Sequence, residues 1–295
     1  MENKPRIRIA DSIFAHGTSL GSGDLKIYPK YFDWYRGTEN INDVIVITES
    51  HFHLVDTYSE KIKIAWLIEP PSINSQSYQF IMENEHKFNV VLTHQTDLIR
   101  RKSFRVGNFP LYQFYFFGGC WIEEPDRGLY TLSKSKNVSI IASNKTLTEG
   151  HKLRHELINK YRDKIDGIYG NGYQFVQNKL EALKEYRYSI VIENEQSPIW
   201  VTEKLIDVMQ CGCIPIYWGP DPLTLKYDCG FDTNGILSFH SAEALELILK
   251  RIDGTHYFDH AEAVVHNFEV SKKFVCPEDF LWDSFFGGIP EIRRG

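Results

Sequence analysis

The 295-residue sequence contains no stretch of about twenty consecutive apolar residues, so no helix that crosses a bilayer is expected from it. It has no internal repeat and no low-complexity segment. Positive charge is not in excess: the net charge of −6 argues against a chain whose main partner is a nucleic-acid backbone, because that needs a broad basic surface. Cysteine is sparse, with five residues, an odd number. Only Cys211 and Cys213 are close, and no His-rich set stands beside them, so the cysteines read as reduced thiols of a cytoplasmic protein. The opening Met1-Glu-Asn-Lys-Pro-Arg6 has no apolar signal core, and in a cytoplasmic protein the acceptor patterns at Asn137 and Asn144 carry no meaning. The dinucleotide fingerprint G-x-G-x-x-G is also missing. Gly21-Ser-Gly23 and Gly170-Asn-Gly172 have Lys26 and Phe175 where the third glycine belongs, which excludes a Rossmann dehydrogenase.

What the chain does contain is the 42% hydrophobic and 24% charged content of a soluble globular protein, at a length that suits two domains. Apolar runs of strand length occur at Ile7 to Ala10, Val44 to Thr48, Ile64 to Ile68 and Asn89 to Thr93, with intervals long enough for parallel pairing. The aromatic run from Asn108 to Trp121 reads as buried packing. The polar stretch Thr131 to Asn137 is the best linker candidate. Beyond it, strands at Val138 to Ala142, Gly167 to Tyr169, Tyr188 to Ile192 and Ile214 to Trp218 alternate with helices at His151 to Arg162, Gln174 to Tyr186 and Thr202 to Gln210. Such alternation predicts an α/β fold with a parallel sheet covered on both faces. The expected domains are 1–133 and 134–275, with a segment 276–295 whose Phe280, Leu281, Trp282, Phe285 and Phe286 would pack across them.

In an open parallel sheet, ligands bind beyond the carboxyl ends of the strands, where loops lead into helix N-termini. After the strand ending at Ile192, that rule selects Glu193 and Asn194, then Thr202 as the cap of a helix beginning at Glu203. A capped helix with an acid in its first turn is unremarkable. Lys204 is not, because a cation there opposes the positive end of the helix dipole by roughly 0.3–1 kcal/mol. An anionic ligand reverses that penalty, and a diphosphate would meet both free N–H groups and an ammonium. Arg154, near the start of an earlier helix, could add a bidentate phosphate contact, although a lone Arg on a helix is more often a surface ion-pair partner.

The ordered pieces Tyr188-Ser-Ile-Val-Ile-Glu193-Asn194, Val201-Thr-Glu-Lys204 and Ile214-Pro-Ile-Tyr-Trp-Gly-Pro220 resemble the donor-binding signature of the α1,3/4-fucosyltransferase family. Ala142-Ser-Asn144, Arg154 with Leu157, and Asp166 followed by Tyr169-Gly170 fit the same pattern. The resemblance implies a GT-B fold, two Rossmann-like domains whose parallel sheets face a central cleft. It further implies GDP-fucose as donor, a glycan hydroxyl as acceptor and inversion at the anomeric carbon. Arg154, Glu193, Asn194, Trp200, Thr202, Glu203 and Lys204 are its donor-site candidates. Two positions depart from the common pattern: Ile192 replaces an aromatic, and Trp200 replaces a Tyr, with loss of a hydroxyl. The sugar is therefore less firmly implied than the reaction class.

Inversion requires a base for the acceptor hydroxyl. The family's catalytic Glu stands at a strand end of the first domain, and Glu69, after Ile64 to Ile68 and before Pro70-Pro71, is the residue that matches; Glu123 and Glu124 are held in reserve. No Asp-x-Asp occurs, so Arg154, Lys204 and the helix N-terminus at Thr202 are expected to neutralise the leaving GDP without a metal or other cofactor. The alternatives are a transferase of the same fold using another nucleotide sugar, or a non-catalytic nucleotide- or glycan-binding protein. Arg100, Arg101, Lys102 and Arg105 form a basic cluster, either a solvated face or a contact for an anionic acceptor or lipid headgroups. A cytoplasmic protein, with peripheral membrane contact left open, is the expectation; the sequence does not set the oligomeric state.

Overall fold

A computed structural model describes residues 4–12, 27–101, 104–106, 109–115 and 118–294. Gly21, Gly23 and Lys26, Lys102 of the basic cluster, and Phe116 and Phe117 of the aromatic run lie outside the described residues. The contacts divide the chain into two units, Met1–Phe117 with Cys276–Gly295, and Gly118–Val275.

The first unit is built on a six-stranded sheet in the order β2-β1-β3-β4-β5-β8, with every pair parallel. Its strands are β1 Arg6–Ala10, β2 Asp33–Tyr35, β3 Val44–Thr48, β4 Ile62–Trp66, β5 Val90–Thr93 and β8 Tyr112–Phe114; β6 Phe104–Val106 and β7 Phe109–Pro110 form a small antiparallel pair. Side chains alternate across the sheet as strand geometry demands. Val44, Val46, Ile64, Trp66, Val90 and Leu92 join one core, while Ile45, Ile47, Ala65 and Val91 join the other. The second core is closed by Phe52 and Val55 of a 3-10 segment and by Ile81 of helix α1 (Pro71–Asn84); a short α2 (Thr96–Ile99) adds Leu98.

The first core is closed by the end of the chain. Helix α9 (Pro277–Ser284) and helix α10 (Pro290–Arg294) bring Leu281, Phe285, Phe286, Ile289 and Ile292 against Phe32 and the strands, and Trp282 stacks on Phe32 with ring centroids 5.9 Å apart. Of the apolar residues read near the C-terminus, Leu281, Phe285 and Phe286 are thus core of the first unit, with Trp282 packed against it.

The second unit holds a five-stranded, all-parallel sheet in the order β10-β9-β11-β12-β13. Its strands are β9 Lys136–Ile141, β10 Gly167–Tyr169, β11 Tyr186–Ile192, β12 Ile214–Trp218 and β13 Leu237–Ser238. Helices α3 (Glu149–Tyr161), α4 (Glu203–Gln210), α5 (Pro222–Tyr227), α6 (Ala242–Arg251), α7 (Gly254–Asp259) and α8 (Ala261–Ser271) follow or cross between them. Val138, Ile140, Tyr188, Ile190, Ile192, Ile214, Ile216 and Trp218 form its main core with Leu157 and Ile158 of α3. From β9 the chain runs outward to β10, then returns past β9 to β11, so the strand order reverses between β9 and β11. That reversal opens a crevice beyond their carboxyl ends.

Three sequence expectations change. The stretch 174–186 is not a helix: after Gly170 and Gly172, both at positive φ, only a 3-10 turn at Lys179–Ala182 forms, capped by Asn178, and β11 already begins at Tyr186. The polar stretch 131–137 lies inside the second unit, where buried Lys134 donates to the carbonyl oxygens of Leu183 (3.2 Å) and Cys211 (2.7 Å). In the aromatic run Tyr112 and Tyr115 are buried, but Trp121 is 45% exposed. All five cysteines are buried free thiols.

Candidate functional site

Helix α4 starts where it does because Thr202 caps it: extended backbone at φ −119° lets the Thr202 hydroxyl accept from Lys204 N at 3.4 Å. The same hydroxyl donates to Glu193 Oε2 at 2.7 Å, and Thr202 N donates to Glu193 Oε1 at 3.1 Å. Tyr217 of β12 adds its hydroxyl to Oε1 at 3.1 Å. Glu193 has no exposed surface, and its carboxylate ties the end of β11 to the start of α4. Lys204 Nζ completes the knot at 3.0 Å from Thr202 Oγ1, 3.5 Å from Glu193 Oε2 and 3.3 Å from Glu203 Oε1, with 26% of its side chain open to solvent.

Arg154 of α3 is buried against the carboxyl end of β11. Its Nε donates to Ile192 O at 3.1 Å, and one terminal nitrogen donates to that carbonyl and to Asn194 Oδ1 at 3.0 Å. Burial lowers its pKa, opposed by the carboxylates of Glu193 and Glu203; the guanidinium stays charged. Helix α3 reaches β11 this closely because residue 150 is glycine: a Cβ there would lie 1.8 Å from Glu193 O, and Gly150 N donates to Asn194 O at 3.1 Å. Gly170, at φ +111°, does the same on the other side of β9, where a Cβ would meet Ala142 O at 2.1 Å. Thr148 and His151 form a reciprocal cap on α3, and burial, with Arg154 nearby, lowers the His151 pKa to about 4.

The predicted residues thus form two contacting sets, Arg154 with Asn194 and Glu193 with Thr202, Lys204 and, through Lys204, Glu203, which meet where Glu193 and Asn194 adjoin in the chain. Trp200 lies in the connecting loop with its ring buried, 3% exposed. Sequence reading missed Lys179 and Asp207. Lys179 Nζ is 2.6 Å from Asp207 Oδ2 and 3.8 Å from Glu203 Oε1, and it stands 5.3 Å from the centroid of the Trp121 ring. Asp207 is buried and also accepts Trp121 N at 2.5 Å. Its signal was an acid on the inner side of α4, where an unpaired charge is not tolerated. Burial acts to raise the Glu203 pKa, but Lys204 and Lys179 outweigh it and hold the carboxyl at about 2, so it is ionised throughout the physiological range.

Within the first unit, Glu69 follows β4 by three residues, half-buried, with its carbonyl accepting the Tyr78 hydroxyl at 2.9 Å. The reserve candidates Glu123 and Glu124 are exposed residues of the second unit. In the basic cluster, Arg100 reaches Asp97 at 3.8 Å and Arg101 donates to Met82 Sδ at 3.4 Å; the Arg105 side chain is not among those described. Among the described residues, no group of three or more His, Cys, Asp or Glu side chains is arranged to hold a metal ion, and no helix is long and apolar enough to cross a membrane.

Residues 131–260 match the family model described as glycosyltransferase family 10 (fucosyltransferase), C-terminal part. The α-(1,3)-fucosyltransferase FucT of Helicobacter pylori is 48% identical over 102 residues, a match that spans 28% of this chain and 21% of that protein. The structure superposes on a crystal structure of an α1,3-fucosyltransferase with a TM-score of 0.54 at 14% identity, covering 98% of this chain and 92% of the other. An α1,3-fucosyltransferase with GDP gives 0.54 at 14%, covering 94% and 93%. HepE of Anabaena in complex with UDP and glucose gives 0.56 at 11%, covering 84% and 78%. At these identities the superpositions establish the fold, an α/β fold of the GT-B type with two parallel sheets and their helices.

Proposed function

We propose that this chain, whose residues 131–260 match the model of glycosyltransferase family 10 (fucosyltransferase), belongs to that family and transfers fucose from GDP-fucose to a hydroxyl of a glycan acceptor, with inversion at the anomeric carbon. The observation that carries this reading is the placement of Lys204, a cation in the first turn of α4, at the crevice where the strand order reverses. The chain matches only about a fifth of the Helicobacter pylori enzyme, and the reading rests on the site's chemistry as well as on that likeness.

In this reading the diphosphate of GDP lies at the α4 N-terminus and takes the ammonium of Lys204, which its carboxylate neighbours now share. Arg154, buried against the end of β11, supplies a second positive charge and orients Asn194. Together they balance the negative charge that grows on the leaving diphosphate, the task for which preorganised cations are most effective. No step of the proposal uses a metal. Glu203, ionised, accepts hydrogen bonds from sugar or ribose hydroxyls. Glu193 acts by holding Thr202 and Lys204, since both its oxygens are engaged inside the protein. Trp200 packs the loop between Asn194 and Thr202. Glu69 of the first unit takes the proton of the acceptor hydroxyl as the sugar–phosphate bond breaks.

Another nucleotide sugar remains the alternative donor, because Ile192 and Trp200 depart from the fucosyltransferase pattern. A panel of GDP- and UDP-sugars assayed for slow donor hydrolysis separates the two. Release of GDP from GDP-fucose above all others supports the proposal, and preference for a UDP-sugar contradicts it.

A further inference from the structure

Glu49 is the first residue after β3, and its side chain is buried in the first unit. Its Oε1 accepts two successive amides of the loop after β4, Ile68 N at 2.7 Å and Glu69 N at 2.9 Å, and its Oε2 accepts Asn74 Nδ2 at 2.8 Å. The same loop is gripped on either side: Leu67 O accepts the Tyr115 hydroxyl at 2.7 Å, and Glu69 O accepts the Tyr78 hydroxyl at 2.9 Å.

A buried carboxylate is a costly way to satisfy two backbone amides. It does not serve α1 as a helix cap: Pro70 stands at the cap position and makes no side-chain cap bond. The convergence instead fixes the peptide plane that precedes Glu69, and with it the direction in which the Glu69 side chain leaves the backbone. Burial raises the Glu49 pKa to about 7, countered by Asn74 and the two amides, while the neighbouring Glu69 carboxylate adds to the rise. Geometry of this kind matters to a base, since about 1 Å of misplacement in a reacting group can cost roughly 10²-fold in rate.

We propose that Glu49 is the positioning residue for Glu69, holding the loop of the catalytic base through the amides of Ile68 and Glu69. The assignment rests on the reading of Glu69 as the base. It deepens that reading by placing part of the catalytic power in a side chain that never meets substrate.

A double-mutant cycle on the full chain tests this, with GDP-fucose and water as substrates, GDP release as the rate, and GDP affinity by calorimetry as the control. Glu49→Ala is expected to lower kcat about 10²-fold with KM and GDP affinity unchanged. Glu49→Gln, whose amide oxygen still accepts both N–H groups, recovers most of that loss. In a Glu69→Gln background, Glu49→Ala should lower the residual rate by less than about threefold, because two residues acting as one unit are not additive. Equal losses in both backgrounds, with Glu69→Gln itself impaired, overturn the positioning role alone. A Glu69→Gln enzyme at full rate overturns the base reading and this inference together. Should Glu49→Ala fail to fold, Glu49→Asp, one methylene shorter, enters the same cycle with the same criteria.

Discussion

Glu193 accepts the Thr202 hydroxyl at 2.7 Å and the Thr202 amide at 3.1 Å, so one fully buried carboxylate fixes where β11 ends and where α4 begins. Thr202→Val removes the hydroxyl and keeps the shape. It takes away a donor to Glu193 and the acceptor for Lys204 N, and loss of a buried polar partner costs about 1–3 kcal/mol. Urea denaturation of the variant should show a lower midpoint by that order. An unchanged midpoint would mean that the cap and the carboxylate contact contribute nothing.

Gly150 is where α3 touches the backbone of β11. Gly150→Ala puts a methyl 1.8 Å from Glu193 O, and the helix must move away from Asn194. Overpacking of this sort costs roughly 1–3 kcal/mol, and the Arg154 contact with Asn194 should loosen with it. The expected outcome is a lower melting temperature together with weaker GDP binding; a variant with parental values of both would contradict the close packing.

Lys179 and Asp207 form a pair within 2.6 Å on the inner side of α4. Breaking a buried pair by removing one partner is destabilising by roughly 3–5 kcal/mol, with the lower end apt here because Lys179 is partly open to solvent. Lys179→Met should therefore destabilise the protein in equilibrium unfolding, and Lys179→Met with Asp207→Leu should regain part of the loss. A double variant as unstable as the single one would show that the pair is not the cause.

Glu49 links stability to pH with a definite sign. Its pKa is raised in the folded protein to about 7, from 4.5, so folding favours the protonated form. The stability this contributes is fully present below the unfolded value and is lost as pH rises through about 7. Glu49→Gln cannot titrate. The stability difference between the variant and the parent should therefore shift in favour of the variant as pH is raised from 4.5 to 8, by chemical denaturation at each pH. A constant difference would show that Glu49 does not titrate in that window.

Much of the framework was legible because it depends on local pattern. The apolar runs at Val44 to Thr48 and Ile214 to Trp218 coincide with β3 and β12, and the cap at Thr202 was readable from its residue type and the apolar spacing after it. Lys204 stands out in sequence as a cation in the first turn of α4, and the structure pairs it there with Glu193 and Glu203. What escaped reading depends on partners far apart in the chain. Glu49 meets Ile68 nineteen residues on, and Lys179 meets Asp207 across a separation of twenty-eight. The spacing on α4 marks Asp207 as an inward acid, but neither Glu49 nor Asp207 has its partner marked by periodicity or spacing. The stretch 174–186 misled because helix-forming residues such as Leu180, Glu181 and Leu183 are overruled by two glycines at positive φ and an early β11.

In the proposed reading, the N-terminal rim of α4 holds GDP through Lys204. Calorimetric titration of the parent and of Lys204→Ala with GDP and with UDP decides this. One lost charge-assisted contact is worth about 1.5–3 kcal/mol, so GDP should bind the parent more tightly than UDP, and its affinity should fall roughly ten- to a hundredfold in the variant. Equal GDP affinity in parent and variant, or tighter binding of UDP by the parent, would contradict it.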